Sequence, residues 1–491
     1  MSEIIKNAEA IIEKNFDDEV KFLQELVRCN SEEKEAFTAP SGEVYPFGEG
    51  VQQALECMLK NAEESGFATK NVDNYGAHVD WGTGDRKLGI IGHLDVVPAG
   101  SGWSFEPYSG AVDGGYIYGR GTTDDKGPVV AAYYAMKALR EAGYEPDAVV
   151  RLIIGLDEET NWYGMEHYLE KEGPADYGFS PDAEFPAVNG EKGIATFDLV
   201  RKISDRKLSG LELRSLSGGA ASNMVAEKAR ALVKAENEKA YDKIRKTVEE
   251  YRSHHQVING IEPKITCRDS GKSLEIAVEG KSAHGAHPDA GLNAISILMD
   301  ILGKLNFANE EINDFVAFYN DHLGFDTAGQ RIGCQMSDEP SGALTLNVGV
   351  LSFDKKSITL TINVRYPVTK TEDDVFAGIT EITDRYDLGI VKSKGEEPIY
   401  FAADSPMVKA LMEAYRNYTG DTESEPMVIG GGTYARSMAN CVAFGALFPG
   451  DPDLMHQKDE RLELSKLMLT TKIYAQTIYS LTQPDFKLEE Q

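Results

Sequence analysis

Short apolar runs, each followed by a loop and a helix, restrict the fold of this sequence more than any other feature. Residues 88–93 predict a buried strand, and residues 116–119 lead through a glycine-rich loop into a helix predicted over 128–141. Residues 149–155 predict the next strand, and a helix over 163–172 follows it. Strands that alternate with helices are typical of α/β domains, so we expect a mixed, mostly parallel sheet flanked by helices.

The middle of the chain has a different pattern. Apolar and polar residues mostly alternate there, as in half-buried antiparallel strands, over residues 194–200, 273–278, 344–351 and 357–366. Helices are expected beside these strands over residues 226–236, 239–252, 293–305 and 372–386. From Pro398 the α/β pattern returns, with a strand predicted over 442–447 and a last helix over 464–481. We therefore expect an α+β domain over 193–397, inserted into an α/β domain formed by 1–192 and 398–491.

Charge and cysteine content narrow the class of protein. The chain has 80 acidic and 50 basic residues and a formal net charge of −30. Nucleic acid and anionic membranes are therefore not expected as partners, because both require patches of lysine and arginine. Five cysteines without a Cys-x-x-Cys pair predict reduced structural thiols. Without a signal-like N-terminus or an apolar run of about 18 residues, we expect a cytoplasmic protein that does not span a membrane.

His93 is the first candidate metal ligand. It ends the strand predicted over 88–93, and Asp95 follows two residues later. Side chains on one face of a strand repeat every two residues, so Asp95 could hold the imidazole of His93 in the orientation that a metal requires. A surface His-x-Asp pair is far more common than a metal site, so this pattern depends on ligands from other segments.

Two further segments carry candidate carboxylates. One is the glycine-rich loop before the helix predicted over 128–141, and the other follows the strand predicted over 149–155. Asp124 stands among glycines just before a helix, where a tight backbone can direct a carboxylate into a cleft. Its alternative role is the N-cap of that helix. Glu158 and Glu159 follow the strand predicted over 149–155, and adjacent glutamates could divide the roles of metal ligand and general base. A solvated loop is the alternative, since clustered acidic groups are tolerated in water or around a cation.

Two more segments offer ligands. Asp182 lies between Pro181 and Pro186, in a turn that the prolines make rigid. His456 follows the sequence Phe-Pro-Gly at 448–450. A single histidine is more often structural than a metal ligand, and that role is expected for the histidines at 78, 167, 254, 255 and 322.

Five segments together resemble a known family. GHLDVVP, GRGTTDDKG, GLDEET, SPDAEFP and FPGDPDLMHQKDE are similar, in the same order, to the motifs of the co-catalytic metallopeptidase family twenty. That family contains aminoacylases, succinyl-diaminopimelate desuccinylases, glutamate carboxypeptidases and dipeptidases. The resemblance covers roughly residues 10–480. PDAEFPAVNGEKG, GKSAHGAHPDAGLNA, TINVRYP and GGGTYAR most resemble the bacterial PepV/Sapep-type dipeptidases, also called Xaa-His dipeptidases or carnosinases. The resemblance implies a zinc-exopeptidase-like catalytic domain with a lid domain over 193–397.

The resemblance also implies two divalent metal ions per chain. Five residues would be the ligands: His93 and Asp182 at one ion, Glu159 and His456 at the other, and Asp124 between the two. Asp95 would orient His93, and Glu158 would be the general base. Imidazoles and carboxylates without a thiolate suit zinc best, with manganese or cobalt as alternatives.

Residues of the lid and of a glycine-rich loop complete the implied site. His284 would stabilise the oxyanion of the tetrahedral intermediate. Arg365 would bind the C-terminal carboxylate of the substrate, and a surface arginine is the alternative. Four residues would help to hold that carboxylate: Asn223, Gly431, Gly432 and Thr433. His287 stands where we expect a small or polar residue in the family, and its role is open.

These features predict a metal-dependent dipeptidase that hydrolyses unblocked dipeptides through a metal-bridging water. A deacylase of N-acyl amino acids on the same scaffold is the closest alternative. A non-catalytic metal-binding protein that uses the cleft for recognition is the alternative from another class. The long insertion, 193–397, leads us to expect that one chain forms a complete site as a monomer, with a homodimer as the alternative.

Overall fold

The computed structural model describes residues 2–204 and 209–488. It divides into two units. The first contains Met1–Gly190, Tyr400–Met427 and Gly432–Gln491, and the second contains Glu191–Ile399 and Val428–Gly431. The predicted limits of the inserted domain, 193 and 397, lie close to the ends of the segment Glu191–Ile399. The short segment Val428–Gly431 also belongs to the second unit, although it comes later in the chain.

The first unit is built around a mixed sheet. Seven of its nine described strands lie in the order Val188–Glu191, Cys441–Ala443, Tyr177–Ser180, Lys87–His93, Val149–Gly155, Gly76–Trp81 and Ala68–Val72, and the short strands Ile399–Tyr400 and Met427–Ile429 both pair with Val188–Glu191. The four strands from Cys441–Ala443 to Val149–Gly155 are parallel, and the flanking strands pair antiparallel. Ile90 and Leu152 of the central strands are fully buried, as expected for parallel strands covered on both faces. The sheet therefore brings several strand carboxyl ends to one edge.

Helices and shorter strands surround this sheet. The helices of the first unit are Glu3–Arg28, Glu49–Glu64, Lys126–Glu141, Tyr163–Glu172, Pro406–Thr419 and Leu464–Leu481. The shorter strands are Phe37–Thr38, Val44–Tyr45, Ala111–Asp113, Tyr116–Tyr118, Ala183–Glu184, Ala446–Leu447 and Arg461–Glu463. The single strand predicted over 442–447 is wrong. Gly445 adopts φ +83° and separates Cys441–Ala443 from Ala446–Leu447, which pairs with Ala183–Glu184 instead.

The second unit contains an antiparallel sheet. Its order is Lys264–Ser270, Ser273–Glu279, Lys228–Lys234, Glu212–Gly218, Thr345–Phe353, Ser357–Tyr366, Gly193–Lys202 and Leu388–Lys392. The helices of this unit are Glu238–His254, Ala294–Leu302, Glu310–His322 and Glu372–Arg385. The helix predicted over 226–236 is wrong, because that segment forms the strand Lys228–Lys234. Its buried residues Ala229, Ala231 and Val233 alternate with more exposed ones, and strands pair with it on both sides.

Each unit has its own apolar core. In the first unit the helix Lys126–Glu141 is buried along most of its length, and it starts immediately after Asp124 and Asp125. Over residues 2–204 and 209–488, no helix combines the length and the apolar character needed to cross a lipid bilayer.

Candidate metal centre

The carboxyl edge of the parallel strands carries three of the predicted site residues. His93 is the last residue of Lys87–His93, Glu158 follows Val149–Gly155, and Asp182 follows Tyr177–Ser180. These three strands are neighbours in the sheet. Open α/β sheets place their binding sites at this edge because the loops that leave adjacent parallel strands meet there.

Asp124 lies between two histidines. Its Oδ1 atom is 3.0 Å from Nε2 of His93, and its Oδ2 atom is 2.9 Å from Nε2 of His456. Oε1 of Glu159 is 3.1 Å from the same Nε2 of His456. Oδ2 of Asp182 is 3.7 Å from Nε2 of His93. The side chains therefore form two imidazole–carboxylate pairs that Asp124 joins.

Asp95 contacts the other side of the His93 ring. Nδ1 of His93 is 2.9 Å from the backbone oxygen of Asp95 and 3.4 Å from its carboxylate Oδ1. The second carboxylate oxygen of Asp95 accepts a hydrogen bond of 3.0 Å from the backbone N–H of Glu159. The backbone carbonyl thus makes the shorter contact to the ring, and the carboxylate also holds the segment that carries Glu159.

Close packing explains the glycine before His93. Oδ2 of Asp125 accepts a hydrogen bond of 3.2 Å from the backbone N–H of His93. A Cβ atom at Gly92 would lie 2.4 Å from that same oxygen. Only glycine lets Asp125 approach the strand so closely, so Gly92 helps to fix the distance between the segments that carry His93 and Asp124.

The cluster has an excess of negative groups. Burial and the charge of Asp124 raise the pKa of Asp182 to about 8. Burial and the charge of Asp182 raise the pKa of Glu158 well above its ordinary value. Burial alone would lower the pKa of His456, but hydrogen bonds to Asp124 and Glu159 outweigh it and raise this pKa to about 11. Positive charge, carried by protons or by metal cations, is therefore needed to stabilise the cluster.

The donor atoms suit divalent cations. Ligand atoms of His93, Asp124 and Glu159 lie within 4.8 Å of one another, and so do those of His93, Glu158 and Asp182. Imidazole nitrogens and carboxylate oxygens are the ligands that zinc and manganese use in proteins. The residues at this edge therefore fit a metal centre.

Tyr434 and Asp157 lie beside the centre, although the sequence did not single them out. The fully buried hydroxyl of Tyr434 donates a hydrogen bond of 3.1 Å to Oδ1 of Asp157, whose Oδ2 accepts one of 2.7 Å from the N–H of Gly164. The Tyr434 ring is edge-on to His93, with 6.3 Å between ring centroids. Tyr434 directly follows Thr433 in the glycine-rich loop, and Asp157 directly precedes Glu158. Their adjacency to predicted site residues was the sequence signal that could have identified them.

Asn223 and His284 come together within the second unit. The backbone N–H of Gly285 donates a hydrogen bond of 2.6 Å to the backbone oxygen of Asn223, and His284 pairs with Met224 in an isolated bridge. Both Asn223 and His284 are exposed. The buried amide of Asn347 donates to the backbone oxygens on either side of Asn223, at 2.8 and 2.9 Å. His287 is also exposed, and its N–H donates to the backbone oxygen of His284 at 2.9 Å.

Arg365 lies near the loop that follows His284. It is 5% exposed, so it is not a surface arginine, and its Nε donates a hydrogen bond of 2.9 Å to Oδ1 of Asn363. A Cβ atom at Gly430 would lie 2.8 Å from Cβ of Ala286 and 4.0 Å from Cγ of Arg365. Within the second unit, the 428–431 segment is therefore adjacent to both Ala286 and Arg365.

The other residues of the glycine-rich loop divide between the units. Gly431 belongs to the second unit, whereas Gly432 and Thr433 belong to the first. The hydroxyl of Thr433 accepts a hydrogen bond of 3.1 Å from the N–H of Ala435 and caps the short 3-10 helix Tyr434–Ser437. Thr433 thus has a structural role in this loop.

The fold and the cluster of imidazole and carboxylate groups are compatible with a metal-dependent hydrolase. The model of peptidase family M20/M25/M40 matches residues 89–480, and the chain belongs to this family of peptide-bond hydrolases. Members of the family depend on metal ions and generally bind two.

Relatives that match most of the chain have names that agree with this family. The "Putative dipeptidase YtjP" of Bacillus subtilis is 37% identical over 479 residues, which cover 97% of this chain and 100% of that protein. A "Putative dipeptidase" of Staphylococcus haemolyticus is 40% identical over 439 residues, covering 89% of this chain and 92% of that protein. The crystal structure of human carnosine dipeptidase 1 shares the fold, with a TM-score of 0.55, 17% identity and coverage of 98% and 99%. The family and the resemblance to dipeptidases predicted from the motifs are confirmed.

Proposed function

We propose that this chain is a two-metal dipeptidase that hydrolyses unblocked dipeptides. The observation that carries the proposal is the position of Asp124, whose two carboxylate oxygens each face the Nε2 atom of a different histidine. A carboxylate in this position can bridge two cations. In this proposal His93 and Asp182 hold one ion, and Glu159 and His456 hold the other. The names of the relatives support a dipeptide as the substrate.

Glu158 is the general base in this proposal. Its neighbour Glu159 contacts His456 directly, whereas Glu158 is half-buried on the side of His93 and Asp182. When bound, the two ions supply Lewis-acid activation of a water molecule and of the scissile carbonyl. Glu158 takes a proton from the attacking water as the new C–O bond forms. It then gives this proton to the amine nitrogen as the C–N bond breaks.

Recognition of the substrate falls to residues of the second unit and the glycine-rich loop. The exposed imidazole of His284 would stabilise the oxyanion. The guanidinium of Arg365 would bind the C-terminal carboxylate of the dipeptide, since it can form a bidentate, charge-assisted pair. Polar groups that would support this end of the substrate are those of Asn223, Gly431, Gly432 and Thr433.

Three further proposals concern the state of the enzyme. Zinc is the proposed metal, with manganese or cobalt as substitutes, because the mixed ligand set is not strongly selective. The working form is proposed to be a monomer. A reducing compartment such as the cytoplasm is proposed because the five cysteines carry free thiols.

Two matched substrates test the activity. Purified protein loaded with zinc or manganese is incubated with alanyl-leucine and, separately, with N-acetyl-leucine, and released leucine is measured by chromatography. We expect release from alanyl-leucine alone, and the Glu158→Gln protein, purified identically, controls for contaminating peptidases. Release from N-acetyl-leucine alone would establish the deacylase. Release from neither, in protein that holds its metals, would establish a non-catalytic metal-binding protein.

A further inference from the structure

Glu460 is a fully buried carboxylate next to the metal centre. Its Oε2 atom accepts hydrogen bonds from Nη1 of Arg120 at 2.5 Å and from the N–H of Gly121 at 3.1 Å. Its Oε1 atom accepts hydrogen bonds from the N–H groups of Thr123 at 2.8 Å and Asp124 at 3.3 Å. Each carboxylate oxygen therefore has two donors, and three of the four donors belong to the backbone that leads into the bridging residue Asp124.

Glu460 also belongs to the segment that carries His456. The backbone oxygen of Glu460 accepts a hydrogen bond of 3.0 Å from the N–H of Gly119. The preceding residue, Asp459, accepts hydrogen bonds from the N–H and hydroxyl of Ser104, at 2.6 and 3.1 Å. By contrast, the His456 side chain is 55% exposed. The position of His456 relative to Asp124 therefore depends on how its segment is anchored. The Glu460 side chain anchors this segment to the Asp124 loop, and the backbone oxygen of Arg461 adds a hydrogen bond of 3.3 Å from the hydroxyl of Thr123.

The acceptor capacity of a carboxylate is matched to the four donors around Glu460. An ionised carboxylate only accepts hydrogen bonds, so it can satisfy two donors at each oxygen. Glutamine has nearly the same shape, but its NH₂ group would face two N–H donors at one of these positions. The loss of these hydrogen bonds would disturb the backbone of residues 121–124 rather than the apolar core. Both carboxylate oxygens of Glu460 are occupied by these donors, so its effect on the centre would pass through Asp124 and His456.

We propose that Glu460 is a positioning residue, which holds the Asp124 loop and the His456 segment at the separation that two metal ions require. This inference rests on the proposed two-metal function. Groups that orient metal ligands typically contribute 10–100-fold in metal affinity. We therefore expect Glu460→Gln to weaken binding of at least one ion by about 10–100-fold and to lower kcat for alanyl-leucine more than it raises KM.

The experiment measures metal affinity separately from activity. Full-length wild-type protein and the Glu460→Gln variant are titrated with zinc against a chromophoric chelator, and zinc content after dialysis is measured by elemental analysis. The matched control is Asp80→Asn, which removes the carboxylate from another arginine pair of the same unit, the Asp80–Arg151 pair at 2.7 and 2.8 Å. We expect the control to change thermal stability and leave zinc affinity unchanged. Glu460→Asp, which keeps the charge but shortens the side chain, should bind zinc with intermediate affinity.

The outcomes separate this inference from the proposed function. If wild-type protein binds fewer than two ions, the proposed function is wrong. If it binds two ions and folded Glu460→Gln binds them with wild-type affinity, Glu460 is not a positioning residue. If Glu460→Gln does not fold, Glu460→Asp decides by the same titration. Failure of both variants to fold would overturn the inference, because the carboxylate would then serve the fold as a whole.

Discussion

Glu19 provides a test of how burial acts on a carboxyl group away from the metal centre. It lies in the helix Glu3–Arg28 and is 1% exposed. Its Oε1 atom accepts a hydrogen bond of 2.6 Å from the hydroxyl of Thr471, and among the described residues its buried Oε2 atom has no hydrogen-bond partner. Burial raises the pKa of Glu19 from 4.5 to about 8, against the opposing effect of the Thr471 hydrogen bond. The native protein therefore keeps this proton at neutral pH.

The sign of the pH effect follows from the two pKa values. Between pH 4.5 and about 8 the unfolded chain has lost the proton, whereas the folded chain still holds it. Stability then falls as pH rises, by about 1.4 kcal/mol per pH unit. Between pH 5 and pH 7 the free energy of unfolding should fall by about 3 kcal/mol because of this one group. Glu19→Gln keeps the acceptor for Thr471 and does not ionise, so it should remove this part of the slope.

Urea unfolding at pH 5, 6 and 7, followed by tryptophan fluorescence, measures the slope. The three tryptophans, Trp81, Trp103 and Trp162, belong to the first unit, which also contains Glu19, so the signal reports on the relevant unit. Metal-free protein is used throughout, so that metal binding does not contribute to the pH dependence. The control is Glu25→Gln, an exposed position of the same helix, which should retain the wild-type slope. Equal slopes for wild type and Glu19→Gln would refute the assignment of a buried, neutral carboxyl group.

Four further predictions concern the proposed site. Glu158→Ala should keep its metals and lose about 10²–10⁴ in rate, whereas Glu159→Ala should lose metal, as activity and elemental analysis will show. EDTA should abolish activity, and zinc, manganese or cobalt should restore it to different degrees; full activity in verified metal-free enzyme would contradict the mechanism. Arg365→Ala should raise KM for alanyl-leucine by about 10–100-fold, and amidated alanyl-leucine should be a poor substrate for the wild type, because a charge-assisted pair contributes about 1.5–3 kcal/mol. Mixed Glu158→Ala and His284→Ala proteins should stay inactive and monomeric in light scattering; recovered activity with a dimeric mass would show that His284 acts across subunits.

Much of the first unit could be predicted because its signals are local. The strand Val149–Gly155 and the helix Tyr163–Glu172 have the predicted limits. The strand is marked by its own apolar run, and the helix by its own helical pattern and the glycine that follows it. Two residues of the sheet edge were also visible in the sequence, because His93 ends one predicted strand and Glu158 comes shortly after another. By contrast, the lysine- and alanine-rich segment 226–236 has residues that favour a helix. Only its pairing with two neighbouring strands makes Lys228–Lys234 extended.

The sequence by itself determined the α/β pattern, the family and the types of side chain available as ligands, because each of these depends on residues close together in the chain. Tertiary structure alone decided which groups meet. The backbone oxygen of Asp95 is closer to the His93 ring than its carboxylate is. Glu460 satisfies donors more than 330 positions away in the sequence. A buried carboxylate is stable only where donors surround it, and those donors converge only when distant segments pack against each other.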